Sequence, residues 1–68
     1  MSTITTVTVT GMTCDHCAAS VREEVSEIAG VTGVEVDVES GRVDITSAAE
    51  LDPAQIAAAV TEAGYALA

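Results

Sequence analysis

The chain has 68 residues, of which eleven are Asp or Glu and two are Arg, and its formal net charge at pH 7 is −9. A chain this short builds one small domain that buries only about 60% of its unfolded surface, so a binding site at the surface suits it better than a deep catalytic pocket. The negative charge and the single aromatic residue, Tyr65, exclude nucleic-acid binding, which needs a basic patch and aromatic platforms.

The N-terminal half begins with an alternation typical of a strand. Val7 and Val9 alternate with threonines over residues 4–10, and Gly11 then opens a loop. A first helix is predicted next, beginning near residues 15–17 and closed by Gly30. Its apolar residues recur at helical spacing: Ala18, Val21, Val25 and Ile28.

The second half predicts a hairpin, a helix and a short strand. Valines alternate with acidic residues over 34–39, Ser40-Gly41 makes a tight turn, and Val43 and Ile45 form the second arm. Asp52-Pro53 is a strong helix start, and Gly64 ends that helix. Its buried stripe is Ile56, Val60 and Ala63, and residues 65–67 form the last strand.

The order strand, helix, strand, strand, helix, strand predicts an α+β fold. Two amphipathic helices cover one face of a four-stranded antiparallel sheet, which is the ferredoxin-like βαββαβ sandwich. Residues 1–68 are expected to form one domain without repeats or linkers. The open face of the sheet should lie in water and carry Thr6, Thr8, Glu35, Asp37 and Asp44.

The chemistry of the chain is concentrated in Cys14 and Cys17. Their spacing lets both sulfurs converge on one ion, and a helix start favours the thiolate form that binds metal. Thiolates are soft ligands that suit Cu(I) and Zn(II). A closed zinc site needs four ligands, whereas this chain has two cysteines and the single histidine His16, so Cu(I) is the expected metal.

The sequence places the chain in a reducing compartment. It has no secretory signal and no run of 18 apolar residues, so it is expected to be cytoplasmic and not inserted in a membrane. In that compartment a cysteine pair indicates metal or redox chemistry. A thiol–disulfide oxidoreductase is the main alternative, and a structural disulfide is a third interpretation.

Four residues near the cysteines are candidates for supporting roles. Met12 fits the core better than a thioether ligand, and Asp15 is a candidate cap for the first helix. His16 should point to solvent and tune the thiolates as it titrates, and it becomes a metal ligand only if the loop rearranges. Tyr65 either brings its hydroxyl near the sulfurs or is an ordinary core aromatic residue.

The motif Gly11-Met12-Thr13-Cys14-Asp15-His16-Cys17, on this order of elements, closely resembles the heavy-metal-associated (HMA) domain, and within it the bacterial CopZ-type copper chaperones. The resemblance implies that Cys14 and Cys17 hold Cu(I) between two sulfurs, that Met12 anchors the loop and that Tyr65 lies close to the site. Thr13 stands where zinc- and cadmium-directed relatives typically carry Asp, which favours copper.

The function implied is that of a cytoplasmic Cu(I) chaperone without enzymatic activity. The resemblance implies transfer to the metal-binding domain of a copper-transporting P-type ATPase or to a copper-sensing repressor. A metal-bridged homodimer is also expected, since two exposed cysteine pairs can share ions. The alternatives are a dithiol/disulfide redox protein and an isolated metal-binding domain of a heavy-metal transporter. Many copper chaperones present lysines near the site for docking, and this chain has none.

Overall fold

A computed structural model describes residues 2–68 and contains six elements in the predicted order. They are β1 (Thr3–Thr10), α1 (Asp15–Ser26), β2 (Val31–Asp37), β3 (Arg42–Ser47), α2 (Pro53–Glu62) and β4 (Ala66–Leu67). The strands form one antiparallel sheet in the order β2-β3-β1-β4. The predicted ferredoxin-like βαββαβ sandwich is therefore confirmed.

The core lies between the sheet and the two helices. Because successive side chains of a strand point to opposite faces, Val43 and Ile45 of the central strand β3 are fully buried while Arg42 and Asp44 reach the other face. The helices close the core with Val21 and Val25 of α1 and Ile56, Ala59 and Val60 of α2. The polar residues predicted for the open face lie there: Thr6, Thr8, Glu35 and Asp37 are exposed and Asp44 is half-buried, and the apolar Ile4 is exposed beside them.

The predicted bounds were wrong at two places in the first half. Helix α1 ends at Ser26, and Gly30 lies in the turn that follows, with a φ of 92°. Strand β2 begins at Val31, before the predicted start at residue 34, and contains Gly33, which marks a register shift against β3.

The hairpin loop is wider than the predicted two-residue turn. Strand β2 ends at Asp37, and residues 38–41 connect it to β3. The Asp37 side chain accepts a hydrogen bond from the Glu39 N–H (3.0 Å), and its carbonyl accepts one from the Gly41 N–H (2.8 Å). An Asx turn therefore ends the strand two residues earlier than the alternation of valines suggested.

Helix α2 has the predicted ends. The Asp52 side chain accepts a hydrogen bond from the Ala54 N–H (2.9 Å), and Pro53 is the first helical residue. At the other end the Gly64 N–H donates to Thr61 O (2.9 Å) and the Tyr65 N–H to Val60 O (3.1 Å), which is a Schellman motif. The chain thus turns sharply after α2 and brings Tyr65 toward the loop that follows β1.

The register of the sheet gathers three connections at one end. Arg42 pairs with Thr8 of β1 and Asp37 of β2, and Thr10 pairs with Ala66 of β4. The β1–α1 loop, the β2–β3 hairpin and the α2–β4 turn therefore lie at this end. Across residues 2–68, no helix has the length and apolar character needed to cross a membrane.

Candidate metal centre

The loop between β1 and α1 presents the two cysteines at the start of a helix. Cys14 is the N-cap residue of α1, with extended backbone (φ −157°, ψ 174°), and Cys17 lies in the first helical turn. The prediction that Asp15 caps the helix was wrong, because Asp15 is already the first helical residue and its carboxylate lies in the first turn. No side chain caps α1, so the helix start carries an exposed thiol where a hydroxyl or carboxylate is usual.

The two thiols are close and differ in exposure. Cys14 Sγ and Cys17 Sγ are 3.5 Å apart, and both cysteines are free. Cys14 is exposed, whereas Cys17 is half-buried and packs against the core. The hydroxyl of Thr13 lies 3.9 Å from Cys17 Sγ. One thiol is therefore open to an approaching molecule and the other is held by its surroundings.

The surroundings of Cys17 stabilise its thiolate. The pKa of this thiol falls from 9.0 to about 6, chiefly through a hydrogen bond from the Thr13 backbone and then through the hydroxyl of Tyr65 and the Cys14 thiol. Partial burial opposes these effects, and the Thr13 hydroxyl adds the smallest decrease. At neutral pH Cys17 is thus mostly in the form that binds soft metals.

Tyr65 lies against the loop that carries the cysteines, with its ring next to Gly11. The pKa of its hydroxyl is raised, first by its hydrogen-bonding interaction with Cys17, which places the phenol close to that sulfur. Of the two interpretations of Tyr65, the structure favours the one that brings its hydroxyl near the sulfurs.

The remaining predicted neighbours separate into a buried and an exposed group. Met12 is 8% exposed and belongs to the core cluster, as expected of a loop anchor. His16 is exposed on α1. Within residues 2–68, no three or more His, Cys, Asp and Glu side chains come together as a group able to hold a metal, so neither His16 nor Asp15 joins the cysteine pair.

Two contributions to the site were missed in the sequence. The first is the Thr13 backbone, which lowers the Cys17 pKa more than any other group. A contact made by the backbone cannot be predicted from the type of residue. The second is the fit between Gly11 and Tyr65: Gly11 has a φ of 92°, and a Cβ there would lie 3.3 Å from Cδ1 of Tyr65. A glycine next to the cysteine motif was the available signal, since glycine permits both the positive φ and the close approach of the ring.

The fold and the exposed cysteine pair define a small α+β metal-binding domain. The sequence model of the heavy-metal-associated domain matches residues 6–66, and the chain belongs to this family.

Individual relatives agree with this assignment. The copper chaperone CopZ of Bacillus subtilis is 39% identical over 61 residues, covering 88% of each protein. The mercuric reductase of Shigella flexneri is 32% identical over 62 residues, which are 91% of this chain but only 11% of the reductase. A crystal structure of a copper-binding domain from HMA7, a P-type ATPase, superposes with a TM-score of 0.86 at 27% identity and covers all of this chain and 92% of that domain.

Proposed function

We propose that this chain is a cytoplasmic copper chaperone that binds one Cu(I) ion between the thiolates of Cys14 and Cys17. The observation that carries the proposal is the pair of free thiols 3.5 Å apart at an exposed helix start, without a third ligand in residues 2–68. Soft thiolates suit Cu(I), and two ligands fall short of the four of a closed zinc site. The similarity to CopZ supports copper as the metal.

The difference in exposure between the cysteines suggests the order of transfer. Cys14 is open to an incoming thiolate and exchanges first. Cys17, held by the Thr13 backbone and assisted by Tyr65, releases the ion last. The ion passes through intermediates in which thiolates of both proteins share it, and no covalent catalysis is involved.

The recipient is proposed to be the metal-binding domain of a copper-transporting P-type ATPase or a copper-sensing repressor. The chain acts as a single free-standing domain in this proposal, and Met12, Thr13 and Tyr65 hold the loop while His16 remains outside the metal's ligand set. Two copies can share ions through their exposed cysteines, so sedimentation of the Cu(I)-loaded protein is expected to detect a dimer that a chelator dissociates.

Anaerobic titration with Cu(I) against a competing chelator tests the proposal. The parent should bind one ion per chain and prefer Cu(I) to Zn(II) in competition. Cys14→Ser and Cys17→Ser should each weaken binding by roughly 100-fold or more, since loss of an outer-shell partner alone costs about 10- to 100-fold. His16→Ala is the matched control within the motif and should bind as the parent does. Parent-like affinity in either serine variant would refute the proposal.

A second candidate is an isolated metal-binding domain of a heavy-metal transporter, favoured by the similarity to the HMA7 domain. The two candidates share the site and differ in what the chain is attached to. Immunodetection of the native protein separates them, since a chaperone is recovered at the mass of this chain and a transporter domain at the mass of a larger membrane protein. Turnover in an insulin reduction assay would instead favour the dithiol redox protein.

A further inference from the structure

A shallow depression of about 760 Å³ lies between the cysteine loop and the β2–β3 hairpin. Residues 36–39 line the hairpin side, and Met12, Thr13 and Asp15 line the loop side. We call this the hairpin groove. Val36 and Val38 are only half-buried, so the groove exposes apolar surface at the hairpin end of the sheet.

The hairpin groove carries negative charge that no ion pair among residues 2–68 neutralises. Asp15, Asp37 and Glu39 are exposed along it, and no Arg is among its lining residues. Arg42 lies near the hairpin, but its guanidinium forms an ion pair with Asp44 (3.0 Å), which is the ion pair found within residues 2–68. An apolar floor with an uncompensated acidic rim complements a segment in which basic side chains flank an apolar one.

The groove also adjoins the candidate metal centre. Thr13 lines the groove and directly precedes Cys14, whose thiol is exposed. A partner seated in the groove therefore places its own thiols beside the cysteine that is proposed to exchange first. A second copy of this chain, with a net charge of −9, does not offer the complementary charge.

We infer that the hairpin groove is the docking surface for the protein that receives the metal, and that its occupant is a basic segment of that protein, with Lys or Arg against Asp15, Asp37 and Glu39 and an apolar side chain against Val36 and Val38. The inference rests on the proposed function, because it assigns the recipient of the same site.

The test uses a defined acceptor, a short synthetic peptide with Lys-Leu-Lys ahead of Cys-Ala-Ala-Cys, and the same peptide with Glu-Leu-Glu. Stopped-flow transfer of Cu(I) from the loaded protein should be faster to the lysine peptide at low salt. The double variant Asp37→Asn/Glu39→Gln should slow that transfer by roughly three- to sevenfold, as two contacts near 6 Å predict between about 0.1 M and 0.01 M ionic strength. Added salt should reduce this difference.

The matched control is Glu27→Gln/Glu50→Gln, which removes the same charge at the other end of the sheet. Both residues are exposed, and they lie in the α1–β2 and β3–α2 connections. This control variant should slow the transfer of Cu(I) less than the groove variant does, because it changes the net charge equally and leaves the groove intact. Equal slowing by the two double variants would overturn the inference, because net charge rather than the groove would then control docking.

Binding of the peptide to the metal-free protein, followed by amide chemical shifts in NMR spectra, tests the docking surface without copper. A version of the lysine peptide with serine for cysteine should perturb residues 36–39 and 12–15, and the groove variant should lose the effect. Shifts elsewhere, or concentration-dependent shifts without peptide, would overturn the inference and indicate another surface or self-association. A failure of the parent to bind Cu(I) would refute the proposed function alone.

Discussion

The state of the Cys17 thiol yields the sharpest prediction, through Tyr65→Phe. This substitution removes the hydroxyl that lowers the Cys17 pKa and keeps the ring against Gly11. We expect the Cys17 pKa to rise above about 6 and to stay below 9.0, because the Thr13 backbone makes the largest contribution and is unchanged. Thr13→Val is the control, since the Thr13 hydroxyl has the smallest effect on this pKa and should shift it less.

The magnitude follows from the fraction of thiolate. At pH 7 a thiol of pKa about 6 is roughly 90% ionised, against about 1% for a pKa of 9.0. A less basic thiolate is also a weaker nucleophile, with a Brønsted slope of about 0.4–0.5, which offsets most of this advantage. Cys17 should therefore react about three- to sixfold faster than an ordinary thiol at pH 7, and its rate should reach half of its plateau near pH 6.

The assay is alkylation of the reduced, metal-free protein by iodoacetamide over a range of pH, with the two cysteines resolved by mass spectrometry. The parent profile of Cys17 should have its midpoint near 6, and Tyr65→Phe should move the midpoint upward. A parent midpoint close to 9, or identical midpoints in the two proteins, would refute the account of how the loop stabilises the thiolate.

Three further predictions concern stability. The Cys17 pKa is lower in the folded protein than in the unfolded chain, so the contribution of this thiol to stability is complete above pH 9, declines as the pH falls and is lost below about pH 6. The Tm of the metal-free protein should therefore rise between pH 6 and 9. This rise should be smaller in Cys17→Ser. Gly41→Ala should lower the free energy of unfolding in urea by about 2 kcal/mol or more, since φ is 79° and the new Cβ would lie 2.5 Å from Val9 O. Gly30→Ala, where φ is 92° and the space is open, should cost only about 1 kcal/mol, and an equal loss at the two glycines would contradict the clash at Gly41. Asp52→Ala should cost about 1 kcal/mol in the same assay through loss of the α2 cap, and an unchanged midpoint would contradict that role.

The order of elements was predictable because each has a strong local signal. Strict alternation around Val7 and Val43 and the Asp52-Pro53 start depend on residue type alone. The length of the hairpin loop was not predictable, because the Asp37 side chain accepts the Glu39 N–H in place of a sheet hydrogen bond and ends the strand early. Alternation of valines continues through the loop, so periodicity cannot register this competition.

The candidate site was predictable in its chemistry and less so in its support. The spacing of Cys14 and Cys17 indicated a convergent pair, and the structure places their sulfurs 3.5 Å apart. Asp15 was wrongly predicted to be the cap, because the start of a helix can be placed from the sequence only to within about one or two residues. The structure shows that the helix begins at Asp15 and that Cys14 is the N-cap residue. The effect of the Thr13 backbone on Cys17 arises from loop conformation, which single residues do not specify.

The location of the ionisable groups explains how so small a core can accommodate a reactive site. Ser47 is the one buried polar residue of the described chain, and its hydroxyl donates to the Ala49 carbonyl (2.6 Å) at the end of the sheet opposite the hairpin. The thiolate of Cys17 is instead stabilised at the surface by a backbone group and a phenol, so the core contains no charge whose desolvation would oppose folding. Met12 links the two regions, because it is buried among apolar side chains and lies two residues before Cys14, and Cys17 and Tyr65 also pack against the core. Packing therefore fixes the position of the loop, while Cys14 remains exposed to exchange.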